Sequence, residues 1–136
     1  MRLFRKVAVI GVGLIGGSIA LAIKKKGLSD EVVGVSRRRE TIASAIKLGV
    51  IDRGSQDISI VRGADLVIFA TPVSIILESA AAIAKITDSD CVVTDVASTK
   101  EEVVRRLQKL FPGYVGAHPV AGSEKRGVAN ADADIF

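Results

Sequence analysis

The sequence predicts an α/β domain in which a parallel sheet is covered on both faces by helices. Three observations carry this. Short apolar, β-branched runs alternate with longer stretches of helical periodicity. Those runs are bounded by Gly, Ser, Thr, Asp or Pro, as buried parallel strands usually are. A glycine-rich turn, Gly11-Val-Gly13-Leu-Ile-Gly16, joins the first run directly to the first helical stretch. At 136 residues, 49% hydrophobic and 25% charged, the chain has the size and composition of one globular unit.

In chain order, the predicted strands are Val7 to Ile10, Val32 to Val35, Leu66 to Ala70, Cys91 to Val93 and Tyr114 to Ala117. Between them, Ile15, Ile19, Ala22 and Ile23 share one helix face, and Ile42, Ala45 and Ile46 another. The same spacing recurs in Val73, Ile76, Leu77, Ala80, Ala81 and Ala84, then in Val103, Leu107, Leu110 and Phe111. Gly49 to Gly63 is weakly periodic and reads as a connection with a short helical turn at Ile58 to Val61. Past the fifth strand, His118 to Glu124 reads as a loop, and Gly127 to Phe136 holds at most one short helix. A doubly wound sheet normally has six strands. Five strands and a stop therefore predict a Rossmann-like domain over residues 1–136, truncated near the end of its nucleotide-binding unit.

Composition excludes several classes. Nineteen Lys and Arg against fifteen Asp and Glu give +4, a scattered excess that favours anionic ligands without marking a nucleic-acid surface. Aromatics, at 4%, leave little to stack on bases. No apolar run approaches the roughly 18 residues of a membrane span. The opening residues lead straight into a strand rather than a signal peptide, so a cytoplasmic protein without a membrane partner is expected. The single Cys91 excludes a disulfide framework, and one His and one Cys on different strands provide no metal cluster.

The glycine turn has the context of a dinucleotide site. Gly11 permits the tight turn, Gly13 lets a pyrophosphate approach the backbone, and Gly16 allows close helix-to-strand packing. Leu14 and Ile15 open the helix whose N-terminus would hold the negative charge. At the end of the second strand, an NAD site would supply a carboxylate for the ribose hydroxyls. The chain has Ser36-Arg37-Arg38-Arg39 there instead, which points to NADP, with NAD as the alternative. Ser36, Arg37 and Arg38 are assigned to the 2′-phosphate, and Arg39 to solvent. Thr71-Pro72 reads structurally as an N-cap and a first helical residue, although its place at the sheet's carboxyl edge puts it beside the cofactor. Ser98 and Glu101 form an S-x-x-E capping box. His118, the lone histidine, follows the fifth strand. With strands ordered 3-2-1-4-5, Ser98 and His118 fall on the nicotinamide side. There a histidine can take the proton of a substrate hydroxyl, and a serine can hold the same oxygen.

Four segments also resemble a known family. Gly11-Val-Gly-Leu-Ile-Gly-Gly-Ser18, Ala70-Thr-Pro-Val73, Thr94-Asp-Val-Ala-Ser-Thr-Lys100 and His118-Pro-Val-Ala-Gly-Ser-Glu124 are similar to signature segments of the prephenate and arogenate dehydrogenases of tyrosine biosynthesis. The last is the most specific, since generic dinucleotide folds lack it. The resemblance implies an NAD(P)-dependent oxidative decarboxylation of a small-molecule substrate, prephenate or arogenate. It implies catalytic roles for His118 and Ser98, and a place in the substrate pocket for Ser123 and Glu124. It further implies a C-terminal helical domain, absent from these 136 residues, that forms a homodimer and supplies an arginine for a substrate carboxylate. Two other readings remain open at this level. One is a dehydrogenase of other small acids, for which Lys100 would be the catalytic candidate. The other is a non-catalytic nucleotide-sensing module, which would usually carry an acid where Ser36-Arg37 stands.

Overall fold

The computed structural model describes residues 2–97, 101–116 and 128–134. Strands β1 (Phe4–Ile10), β2 (Ser29–Val35), β3 (Arg53–Ser55), β4 (Leu66–Phe69) and β5 (Val92–Asp95) form one sheet in the order β3-β2-β1-β4-β5. All its pairings are parallel. Helices α1 (Leu14–Lys25), α2 (Arg39–Lys47) and α3 (Val73–Ala84) connect β1 to β2, β2 to β3 and β4 to β5, a 3₁₀ turn at Ile58–Val61 lies between β3 and β4, and α4 (Glu101–Leu110) follows β5. The register aligns Ile10 with Val35 on one side and Phe69 on the other, and Phe69 with Asp95. The strand ends therefore form one row, and whatever follows them shares one edge.

Side chains alternate across the strands, so the two faces build two cores. Val7 and Val9 pack with Ala20, Ile23 and Ala45 of α1 and α2. Ala8 and Ile10 face the layer of Ile76, Ala80 and Ile83 from α3 and Val103 and Leu107 from α4. At about 1.5–3 kcal/mol per fully buried aliphatic side chain, these layers outweigh the exposed ion pairs, each worth about 0–1 kcal/mol. No helix among the described residues is long and apolar enough to cross a membrane.

The sequence misses β3. Its three residues, Arg-Gly-Ser, lie at the sheet edge with one exposed and two half-buried, so no apolar run marks them. The predicted turn at Ile58–Val61 is present as a 3₁₀ turn capped by Asp57, whose side chain accepts the Ser59 amide at 2.9 Å. Because β3 takes the outer place, the Leu66 strand becomes the fourth and lies against β1. The predicted Tyr114 strand is reduced, within the described residues, to a bridge with Val93. The predicted face of α1 is also rotated. Gly16, Gly17, Ala20 and Ile23 are buried while Ile15 and Ile19 are only half-buried, because the smallest residues let the helix approach the sheet. Ile46, predicted to be buried in α2, is 44% exposed, since the short edge strand beneath it offers nothing to cover it.

Candidate functional site

The carboxyl edge opens between β1 and β4. Gly11 follows β1 with φ +94°, a conformation that L side chains rarely adopt, and its amide donates to the Val35 carbonyl at 2.8 Å. A Cβ on Gly16 would lie 2.1 Å from the Gly11 carbonyl oxygen, so this position sets how closely α1 approaches β1. A Cβ on Gly13 would meet nothing within 4 Å. Gly11 thus makes the tight turn and Gly16 the close helix-to-strand approach that the sequence predicts, while the space at Gly13 is open. Gly13 provides no side-chain cap, and the first turn of α1 has no acid. The amides of Leu14, Ile15 and Gly16 are thus presented at a helix N-terminus without intrahelical acceptors.

Thr71 corrects the sequence reading. Pro72 occupies the N-cap of α3, with φ −55° and ψ 153°, and no side chain caps the helix. The Thr71 hydroxyl is buried without a hydrogen-bond partner, while its methyl presses on the Gly11 turn, 2.6 Å from where a Gly11 Cβ would stand. Capping therefore does not account for this residue. An unmet buried hydroxyl in a native fold calls for a reason such as a ligand. The position of β4 beside β1 puts Thr71 at the point where the sheet's winding reverses, the usual ligand crevice of such sheets.

A groove of about 270 Å³ runs along this edge, lined by Gly11, Val12, Gly13, Ser36, Thr41, Ala70, Thr71, Pro72 and Val128. Two larger surface hollows, about 350 and 340 Å³, lie beside Arg105 on α4 and beside Ile42 on α2. Neither contains the glycine turn or the unpartnered Thr71 hydroxyl, so the smaller groove is the candidate. The Ser36 hydroxyl accepts the Arg38 amide at 3.3 Å. Gln56 donates to the Arg37 carbonyl at 2.7 Å and accepts from Arg39 at 3.1 Å. Arg39, predicted to be merely solvated, therefore braces the turn. The Arg37 guanidinium is 3.9 Å from Glu78, both side chains exposed, and Arg38 is exposed as well. Val128 was not anticipated as a wall of the groove. Its segment is tied to α1 by the Asp132 amide, which donates at 2.9 Å to the buried Ser18 hydroxyl.

On the other side of β4, Asp95 ends β5 fully buried. Its carboxylate accepts the Tyr114 hydroxyl at 2.6 Å and the Ala97 amide at 2.9 Å. Burial, then the bond and charge of Asp95, hold the Tyr114 hydroxyl protonated well above its usual range. Cys91 is buried, and burial followed by the charges of Asp65, Asp88 and Asp90 pushes its thiol up to about 11, which suits a packing role. Glu101 of the predicted capping box accepts from Arg105 at 3.3 Å. Ser98, His118, Ser123 and Glu124 lie outside the described residues.

Comparison with known proteins decides the family. The family description "Prephenate dehydrogenase, nucleotide-binding domain" matches residues 19–136. The chain belongs to this family. The match begins past the glycine turn, so the turn's geometry is an independent observation. The chain is 42% identical to a prephenate dehydrogenase of Lactococcus lactis, over 97% of its own length and 38% of that protein. Among solved structures, prephenate dehydrogenase from A. aeolicus in complex with hydroxyphenyl propionate and NAD+ has a TM-score of 0.92 at 33% identity, covering 97% of this chain and 47% of that one. Synechocystis arogenate dehydrogenase has a TM-score of 0.90 at 32% identity, covering 96% and 46%. This nucleotide-binding domain thus spans under half the length of these relatives, and its groove occupies the edge where the fold class binds dinucleotides.

Proposed function

We propose that the chain is the dinucleotide-binding part of a cytoplasmic prephenate or arogenate dehydrogenase and that it takes NADP in preference to NAD. The observation that carries this is the groove itself, where an uncapped α1, open space at Gly13 and the unmet Thr71 hydroxyl converge in a chain of this family. These groups fit a dinucleotide, which when bound supplies the hydride acceptor for an oxidative decarboxylation. The amides of Leu14, Ile15 and Gly16 hold the pyrophosphate. Thr71 donates its hydroxyl to a cofactor oxygen, and Pro72 lines the same wall. Ser36, Arg37 and Arg38 hold the 2′-phosphate by charge-assisted hydrogen bonds, in a turn already fixed by Gln56 and Arg39.

In this reading His118 takes the proton of the substrate's ring hydroxyl and Ser98 hydrogen-bonds the same oxygen. Ser123 and Glu124 line the substrate pocket. The full-length protein is a homodimer whose further helical domain anchors a substrate carboxylate with an arginine. The NAD+ complex of the A. aeolicus relative supports dinucleotide binding. The choice of NADP rests on the residues that follow β2 in this chain.

Titration of the purified chain with NADPH and NADH, followed by nicotinamide fluorescence, tests the proposal. NADPH should bind more tightly. Replacing Arg37 and Arg38 together by Ala should weaken NADPH by about 1.5–3 kcal/mol, the range for lost hydrogen bonds to charge, with little effect on NADH. Equal losses, or an initial preference for NADH, would overturn the phosphate site. Failure to bind either dinucleotide would overturn the whole reading.

A further inference from the structure

We propose that Asp95 is a positioning residue that joins, through Tyr114 and the Ala97 amide, the two chain segments leading to Ser98 and His118. The inference rests on the catalytic reading of those two residues. Asp95 is 0% exposed, and an ionised carboxylate is costly to bury unless donors meet it. Two donors are described, and they come from different parts of the edge. The Ala97 amide, 2.9 Å away, belongs to the residue immediately before Ser98. The Tyr114 hydroxyl, 2.6 Å away, comes from the segment that runs beside β5 toward His118.

Among the described residues, backbone pairing ties that second segment to β5 at Val93, which donates to the Gly113 carbonyl at 3.0 Å and accepts the Val115 amide at 2.8 Å. The side-chain bond reaches two residues farther along β5, to its carboxyl end. The Tyr114 ring lies along its own chain, so that a Cβ on Gly116 would stand 3.2 Å from the hydroxyl. Gly116 precedes His118 by two residues. One carboxylate therefore fixes the spacing between the roots of both segments at the sheet edge. An apolar side chain could fill the same space but would fix neither direction. Supporting hydrogen bonds of this kind hold reacting groups in line.

The test uses Tyr114→Phe, which keeps the ring and the backbone bridge and removes only the hydroxyl. In the complete enzyme, assayed with prephenate and with arogenate, kcat should fall about 10- to 100-fold, the scale of a small misplacement, while the Kd for NADPH stays unchanged. In the 136-residue chain the single histidine gives an isolated marker in NMR, its imidazole resonances, and these should shift in Tyr114→Phe. Asp95→Asn can accept from Ala97 and donate to the tyrosine oxygen, so it should retain more turnover than Asp95→Ala. Normal kcat with unmoved His118 resonances in Tyr114→Phe, even with a lowered Tm, would overturn the proposal. If the wild-type enzyme turned over neither substrate, the catalytic reading would fail, and the resonance measurement would still decide whether Tyr114 communicates with His118.

Discussion

The amino edge of the sheet and the crevice between β1 and β4 at its carboxyl edge treat polar groups in opposite ways. At the amino edge, carboxylates are met from within the chain. Asp65 accepts the amides of Arg5 and Lys6 at 2.7 and 3.3 Å, Asp52 accepts the Val32 amide at 2.8 Å and pairs with Lys24, and Glu31 pairs with Arg53 at 2.7 Å. At the carboxyl edge, α1 starts without a cap, the space over Gly13 is empty and the Thr71 hydroxyl has no partner. The strands run from one edge to the other between the same two apolar layers, so the packing does not cause the difference. One edge spends its polar groups on the fold; at the other, the crevice between β1 and β4 leaves them for a ligand, whereas Asp95 at the end of β5 is met by Tyr114 and Ala97. Stability and binding should therefore separate when single residues are changed.

The sharpest separation is between two glycines three residues apart. Gly16→Ala puts a Cβ 2.1 Å from a backbone oxygen that no rotamer change can relieve. It should cost about 3 kcal/mol, the upper part of the usual overpacking range, and NADPH affinity should fall as α1 lifts from β1. Gly13→Ala meets nothing within 4 Å. Its stability should change by less than about 0.5 kcal/mol, while NADPH binding weakens by about tenfold or more, equivalent to about 1.4 kcal/mol. Urea unfolding and cofactor titration on both variants read the contrast. Normal binding by Gly13→Ala would mean that no ligand approaches this turn.

Features set by local chemistry were legible in the sequence. The glycine turn, the Ile58–Val61 turn and the stripe of Val103 and Leu107 on α4, continued by Phe111 just past its end, each follow from spacing within one segment. Features set by distant neighbours were not. β3 is a strand because β2 pairs with it, not because Arg-Gly-Ser favours one. Thr71 before Pro72 has the sequence of a cap, and only the position of β4 beside β1 turns it toward the groove. The Asp95 to Tyr114 bond spans nineteen residues, and the Asp132 to Ser18 bond spans 114. The aspartate of Thr94-Asp95 and the serine of Gly17-Ser18 were visible only as parts of longer motifs. A buried-position pattern at the end of β5 was the available signal for Asp95, since an acid there needs partners.

A subtler break in the comparison is Thr71→Val, which keeps the shape and removes the unmet hydroxyl. Deleting a buried group that lacks a partner should leave the free chain as stable as before or more stable by up to about 1 kcal/mol. The same change should weaken NADPH by about 1 kcal/mol, the typical worth of one hydrogen bond. Thermal melts with and without NADPH show both effects, because the ligand-induced rise in Tm shrinks as affinity falls. Loss of stability with unchanged affinity would assign the hydroxyl to the fold and remove one of the three differences between the edges.

The smallest expected effect lies at the amino edge, in Asp65→Asn. The Arg5 amide is the main cause holding the Asp65 carboxyl below its ordinary range; partial burial opposes it, and the Lys6 amide and the Arg5 charge add to it. A folded-state value lower than the unfolded one contributes stability that is complete above the unfolded carboxylate range, about 3.9, and is lost as pH falls through the folded value. Wild type should therefore lose part of its stability on acidification below about pH 4, and Asp65→Asn should show a flatter profile there. At neutral pH the variant should be less stable by under about 1 kcal/mol, because the Asp65 side chain is 38% exposed and solvent screens its interactions. NADPH affinity should not move, since the residue lies at the far end of the strands from the groove. Urea unfolding between pH 3 and 7, with cofactor titration at pH 7, checks both halves. A loss of affinity in Asp65→Asn would show that the two edges are coupled through β1 and β4, and the separation of fold and ligand between them would have to be abandoned.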